Sequence, residues 1–175
     1  MRTQANFFVH VFATGLAAVT AHNPKFAIRD FSGEARFIPG TLADASLRIE
    51  IRVSSLEIMD EVSHEERAAI EKVMFHEVLE SRVFPEVDFV GSEITVTKLG
   101  ENLFQAKVSG NLSMHGQTRR HHFDAQVVAG EDTLHGYGDF TVKQAEYGLQ
   151  IASIAGGVLK IRDDVRVSFY ITAGK

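Results

Sequence analysis

Apolar residues recur at every second position along most of the chain. In Leu47, Ile49, Ile51 and Val53 the intervening Arg48, Glu50 and Arg52 are charged, so one face is oily and the other wet. From Phe104 to Met114 every even position is apolar or glycine: Phe104, Ala106, Val108, Gly110, Leu112 and Met114. Leu134, Gly136, Gly138, Phe140 and Val142 repeat the pattern, and so do Val165, Val167, Phe169, Ile171 and Ala173. A period of two predicts half-buried strands. Eight are expected: Asn6–Ala13, Phe26–Phe37, Ala45–Ser54, Val87–Thr97, Asn102–Met114, Thr118–Val128, Thr133–Val142 and Asp164–Ala173. So many need a shared interior, and an antiparallel β-barrel supplies one while removing exposed edges.

Other signals interrupt the strands. Gly15 and Pro24 bracket a short helical or turn segment, Leu16–His22, and Pro39-Gly40 makes a turn. Gly33, inside the second strand, is the expected bend of a curving sheet. One helix is predicted over Ser63–Ser81, between strands three and four. Ser63 and Glu66 form a capping box, Ile70, Val73, Met74 and Val78 share a face, and Pro85 prevents continuation. Gln144–Asp163 reads as irregular. No repeat, linker or low-complexity tract divides the chain, so residues 1–175 are expected to be one barrel domain.

Composition narrows the function. The chain has 175 residues, 45% of them hydrophobic, a net charge of −5 and scattered Lys and Arg, which argues against nucleic-acid binding. The absence of Cys removes a disulfide framework, a thiol nucleophile and a cysteine zinc site. No run approaches the ~20 apolar residues of a membrane-spanning helix. Met1–Ala21 has some features of a signal peptide, but His10, Thr14 and Thr20 interrupt it and Phe7–Ala13 reads as a strand. A cytoplasmic location is expected; cleavage after Ala21 would instead place the protein in the periplasm.

Candidate chemistry is sparse. His121 and His122 are neighbours in a strand and point to opposite faces, so they cannot share an ion. The Glu61-x-x-His64 spacing occurs once and precedes the helix, and His76 with Glu80 reads as an ordinary solvated i,i+4 pair. No metal is expected. There is no Gly-x-Ser-x-Gly elbow and no phosphate loop, since Gly156-Gly157 lacks the following Lys-Ser/Thr.

The inward positions are more informative. Ala106 and Gly110 lie between large residues on one strand, and Gly136 and Gly138 between Leu134 and Phe140 on another. An eight-stranded barrel can be filled by side chains or can hold one small ligand. Small residues at mid-strand leave volume, and an uncharged wall would suit an apolar occupant. The alternative is that these glycines serve curvature and the interior is solid.

Three segments resemble a known family. Leu79 to Phe89 (LESRVFPEVDF) is similar to a signature in which a helix ends, Phe-Pro follows and a strand opens on Phe. Gly110 to Arg119 (GNLSMHGQTR) resembles a second signature hairpin, and Gly156 to Val165 (GGVLKIRDDV) a closing strand. Together they resemble the YceI family of lipocalin-like, polyisoprenoid-binding proteins, over essentially the whole chain. The resemblance implies an all-β, lipocalin-like barrel holding a long isoprenoid, with Phe89 and Phe104 as aromatic contacts. The chain departs from commoner members at Leu56-Glu57-Ile58-Met59-Asp60, and at Arg120-His121-His122 where a Pro often follows Thr-Arg.

The expected activity is therefore non-enzymatic binding or carriage of a polyisoprenoid, prenyl quinone or similar lipid, with no further cofactor. A homodimer is compatible with this, and stable membrane insertion is not expected. The expected wall comprises Leu47, Ile49, Ile51, Val53, Met74 and Phe89, then Phe104, Ala106, Val108, Leu112 and Met114, and finally Gly136, Gly138, Phe140, Val167 and Phe169. Access is expected at an end of the barrel, covered by Leu16–Lys25 and the helix. Two alternatives are an enzyme using His10 or His115 as acid–base, and a packed barrel with a structural or partner-binding role.

Overall fold

The computed structural model describes residues 4–14, 23–151, 153–154 and 159–174. The expected segment Leu16–His22 lies outside them. Ten strands form one antiparallel sheet in the order β3-β4-β6-β7-β8-β9-β11-β1-β2-β5, and β10 pairs on the side with β11. They are β1 (Gln4–Thr14), β2 (Lys25–Ile28), β3 (Phe31–Arg36), β4 (Ser46–Arg52) and β5 (Leu56–Ile58). β6 (Glu86–Lys98), β7 (Leu103–Met114), β8 (Gln117–Ala129), β9 (Thr133–Lys143), β10 (Ser153–Ile154) and β11 (Leu159–Gly174) follow.

The strands at the two ends of that order are consecutive stretches of chain. β2 runs into β3, and β4 runs through a 3-10 turn (Val53–Ser55) into β5. β3 pairs with β4 and β2 with β5, so these four form one long bent hairpin. One half joins β1 and the other joins β6, which curls the sheet into a barrel. The hairpin is stitched across its bend by Arg29 N donating to Ser55 O (3.2 Å) and Arg52 N to Asp30 O (3.0 Å). The expected second strand, Phe26–Phe37, is thus two, while the expected third, Ala45–Ser54, is β4 alone and β5 is an additional strand beyond it. The bend falls at Arg29-Asp30, not at Gly33, which sits in regular register opposite Ile49. Arg29 and Asp30 are exposed and bind Glu57 and Arg52, holding the corner from outside.

The helical segment is shorter and more irregular than expected. α1 spans His64–Lys72, and its capping box is present: Ser63 Oγ accepts from Glu66 N (3.2 Å) and Glu66 Oε2 from Ser63 N (2.9 Å). The chain then widens into a π-helical stretch, Val73–Val78, closed by Leu79 N donating to Met74 O. Glu80, at φ 46°, turns the chain away. Gln144–Asp163, expected to be irregular, begins with a 3-10 turn (Gln144–Tyr147) and includes β10 and the first residues of β11.

A bore walled by apolar side chains

Odd positions of β1, β8 and β11 and even positions of β7 and β9 point into the barrel. Around them lies a cavity of about 1070 Å³. The interior is therefore not packed solid. Phe31, Phe7, Phe169, Phe123 and Phe89, from β3, β1, β11, β8 and β6, form a belt around the wall, with centroids 5.0 to 6.5 Å apart along the chain of contacts. Phe140 joins it 5.1 Å from Phe123 and 6.4 Å from Phe169. Offset and edge-on contacts of this kind hold rings without filling the space between opposite walls.

Of the wall residues expected from sequence, all but two line this cavity. Phe104 is buried in the same apolar cluster but is not on the wall. Gly138 is not on it either, because a Cβ there would lie 2.6 Å from Asp124 O and 3.0 Å from Phe169 Cζ. Gly110 is likewise not a source of volume. A Cβ there would collide with Val90 O and lie 2.7 Å from Gly91 Cα, where β6 is bulged against β7. Gly136 does open the bore, with nothing within 4 Å of its Cβ position.

Several wall residues were not anticipated. Phe7, Val9 and Val11 alternate in β1, and Phe123, Ala125 and Val127 in β8, so both sets were legible by the same rule. Leu42 was not, because it stands in the turn after Pro39-Gly40, outside any alternating run, at φ 55°, a strained conformation for Leu. It is 4% exposed and closes the bore from the β3–β4 turn. At the opposite end α1 and the π stretch contribute Ala69, Ile70, Val73, Met74 and Val78. The wall is not wholly uncharged: Glu34, Arg36, Asp60, Glu66, Glu131 and Asp132 also line it, all on turns or at strand and helix ends except Glu34.

The barrel wall is also not closed along its whole length. β7 pairs with β8 from Leu103↔Val128 to Met114↔Gln117, and β9 pairs with β11 from Thr133↔Gly174 to Lys143↔Asp164. β8 and β9 pair only from Ala125↔Gly138 to Ala129↔Leu134. Gln117–Asp124 and Asp139–Lys143 part from each other, opening a seam. The chain after β9 is tied across it: Arg119 Nε donates to Glu146 O (3.2 Å), and Tyr147 and Leu149 are buried. Backbone hydrogen bonds between strands therefore do not close every side of the bore.

The histidines divide by position. His10 faces outward, its Nε2 3.1 Å from Ser168 Oγ, and His115 lies 2.8 Å from Glu80 Oε2 and 3.3 Å from Tyr147 O in a separate hollow. Glu80 therefore serves His115 rather than His76. Neither His10 nor His115 lines the cavity. His121 does, edge-on to Phe140 at 5.1 Å. Its Nε2 is shielded from water and has no hydrogen-bond partner among the described residues. Burial pushes its pKa below the usual 6.5, the nearby His122 adds to this, and Glu146 opposes it. Burial, Lys25 and Arg166 likewise depress His10, against Asp139. Among the described residues no three potential metal ligands converge.

These depressed values fix a pH dependence. Above 6.5 both states are neutral at His121. As pH falls through that value the unfolded chain takes up a proton that the folded chain resists, so stability declines. Thermal melts between pH 7.5 and 5 should show a falling Tm, with a shallower slope for His121→Leu. Parallel slopes would contradict the placement of His121.

The YceI-like domain matches residues 3–173. The chain belongs to that family. Solved structures agree in fold. The YceI-like chain is similar to BcnA of Burkholderia cenocepacia at TM-score 0.72 and 17% identity, covering 97% of this chain and 96% of that one. Campylobacter jejuni YCEI protein matches at TM-score 0.67 and 15% identity, covering 89% and 86%. A polyisoprenoid binding domain from Saccharophagus degradans, implicated in plant cell wall breakdown, matches at 0.63 and 12%, covering 99% of both chains. No curated protein matched the YceI-like chain significantly. No helix among its described residues is long and apolar enough to cross a membrane.

Proposed function

We propose that the protein is a non-enzymatic carrier or reservoir for a long apolar lipid of the polyisoprenoid class. The observation that carries this reading is the cavity of about 1070 Å³, walled by aliphatic and aromatic side chains. It is at the upper end of the range for small-molecule sites. Membership of the YceI-like family and the polyisoprenoid-binding domain among the structural neighbours support it. Binding would be driven by removing the lipid's apolar surface from water, at roughly 25 cal/mol per Å² before ordering costs.

The packed-barrel alternative conflicts with the cavity. The enzymatic alternative loses its footing because His10 and His115 lie off the wall. Native mass spectrometry of delipidated protein mixed with geranylgeraniol should show a one-to-one adduct that Ile49→Glu abolishes. Ile49 is a wall residue of β4, so a charge there faces the tail. The absence of an adduct from parent protein would overturn the reading.

A further inference from the structure

Outside the bore, one side chain ties together two of the segments that cover it. The π stretch and the residue after it contribute Val78 and Leu79 to the wall at the helical end. The strap Gln144–Leu149, which crosses the seam, contributes Gln144 and Leu149. His115, at the tip of the β7–β8 hairpin, joins them, with its side chain 13% exposed. Its Nε2 is 2.8 Å from Glu80 Oε2, where the helical segment ends, and its Nδ1 is 3.3 Å from Tyr147 O on the strap. The ring packs on Phe84, with centroids 4.3 Å apart. The backbone is constrained there too. Glu80 (φ 46°) and His115 (φ 51°) are two of the four non-glycine residues in the left-handed region among the described residues, and Gly116 and Gly148 adjoin them at φ 72° and 70°. Such conformations persist only where surrounding contacts hold them.

Both partners of this ring are acceptors. A backbone carbonyl has no proton to give, and an ionised carboxylate has none either. A neutral imidazole carries one N–H, so it can donate to Tyr147 O or to Glu80 but not to both. The imidazolium donates to both at once. We propose that His115 is a proton-operated latch: protonated, it holds the helical cover and the strap shut, and loss of its proton as pH rises releases them together. The inference goes beyond the lipid-binding reading, because it concerns how the covers of the bore open whatever the bore contains.

The surroundings assign the pairing to Glu80. The hollow beside the ring is lined by His76, Glu77 and Glu80 from the helical segment, and by Gly148 and Gln150 from the strap and just after it. Among the described residues, Glu80 is the one carboxylate paired with the ring. Elsewhere on the strap, Glu146 is tied through its carbonyl to Arg119 of β8, and Arg82, beyond Glu80, is exposed. The sign follows from the bonds. The closed arrangement has both of them only with the ring protonated, so its advantage is present at low pH and fades as pH rises. This is opposite to the effect of His121, whose buried ring resists the proton. Glu80→Gln changes the logic: the new amide can donate to a bare Nε2 while Nδ1–H donates to Tyr147 O, so a neutral ring then keeps both bonds.

The test is amide hydrogen exchange on lipid-free, full-length protein, read as protection factors so that the intrinsic pH dependence of exchange is removed. The amides followed are Leu79 and Ser81, which donate to Met74 O and Phe75 O, and Leu149, which donates to Gln144 O. From about pH 5.5 to 8.5, a span that covers histidine titration, their protection in the parent should fall together by about tenfold, as expected for the loss of one charge-assisted bond. The fall should track the His115 Cε1–H resonance, and amides of Phe104–Val108, far from the hairpin tip on β7, should keep their protection. Glu80→Gln should remain protected throughout, with no pH dependence, whereas Glu77→Gln should respond as the parent does. Parental protection that stays level while His115 titrates overturns the latch, and so does a Glu80→Gln protein that still responds. Helical and strap amides that respond at different pH overturn the coupling of the two covers. Because exchange is measured without lipid, a failure of lipid binding leaves these outcomes readable.

Discussion

Phe169→Asp is expected to leave no cooperatively folded protein at 25 °C. Phe169 is 8% exposed and sits in β11 between Phe7 on one neighbouring strand and Gly138 on the other. Its ring meets Phe7, Phe123 and Phe140, so it links three other strands of the barrel. Truncating such a ring costs about 3–5 kcal/mol. An unpaired carboxylate on an apolar wall adds several more unless it takes up a proton. Together these rival the roughly 5–15 kcal/mol that a domain has in total. Val108→Asp, at a residue 4% exposed on β7, should act in the same direction with a smaller packing loss. Asn111→Asp, exposed on the outward face of β7 and opposite Arg120, is the control, expected to stay within about 0.5 kcal/mol of the parent. Urea titration followed by circular dichroism measures all three. A Phe169→Asp protein that unfolds at the parental midpoint would mean that the inward assignment of β11 is wrong.

Two glycines two residues apart should respond oppositely to the same substitution. At Gly136 a Cβ meets nothing within 4 Å, so Gly136→Leu extends into the bore and should leave the melting temperature level or raise it. The same side chain occupies ligand volume, so lipid uptake should fall sharply. At Gly138 the Cβ would be 2.6 Å from Asp124 O, which is backbone and cannot turn aside. Gly138→Leu should therefore destabilise by at least the ~1–3 kcal/mol typical of overpacking. Thermal melts paired with a lipid-binding titration separate the two. Equal destabilisation by both would show that the bore is filled at Gly136.

The strands were legible because alternation is a property of the chain itself. Leu47 to Val53 and Phe104 to Met114 show a wet face and a dry face whatever surrounds them. The capping box at Ser63 and Glu66 is equally local. What escaped depends on distant partners. Whether Gly136 or Gly138 opens the bore is decided by Asp124 and Phe169, which come from other strands. The break at Arg29-Asp30 comes from one hairpin serving both sides of a closing sheet, and no residue there announces it. Leu42 lies in a turn outside any alternating run, and only the closed barrel shows that it plugs an end. Strand alternation puts His121 and His122 on opposite faces, and of the two only His121 lines the bore. That its own face is the bore, beside a seam, follows from where β8 and β9 stop pairing.

The central claim is that the bore holds an apolar lipid, and the most direct measurement is of its contents. Protein purified without detergent from the cells that make it naturally should be extracted with organic solvent and analysed by mass spectrometry. The account predicts a long-chain isoprenoid or similarly apolar lipid at close to one per protein, and its loss from Gly136→Leu protein purified in parallel. An empty extract, together with no uptake of prenyl alcohols or prenyl quinones by the same protein, would contradict it.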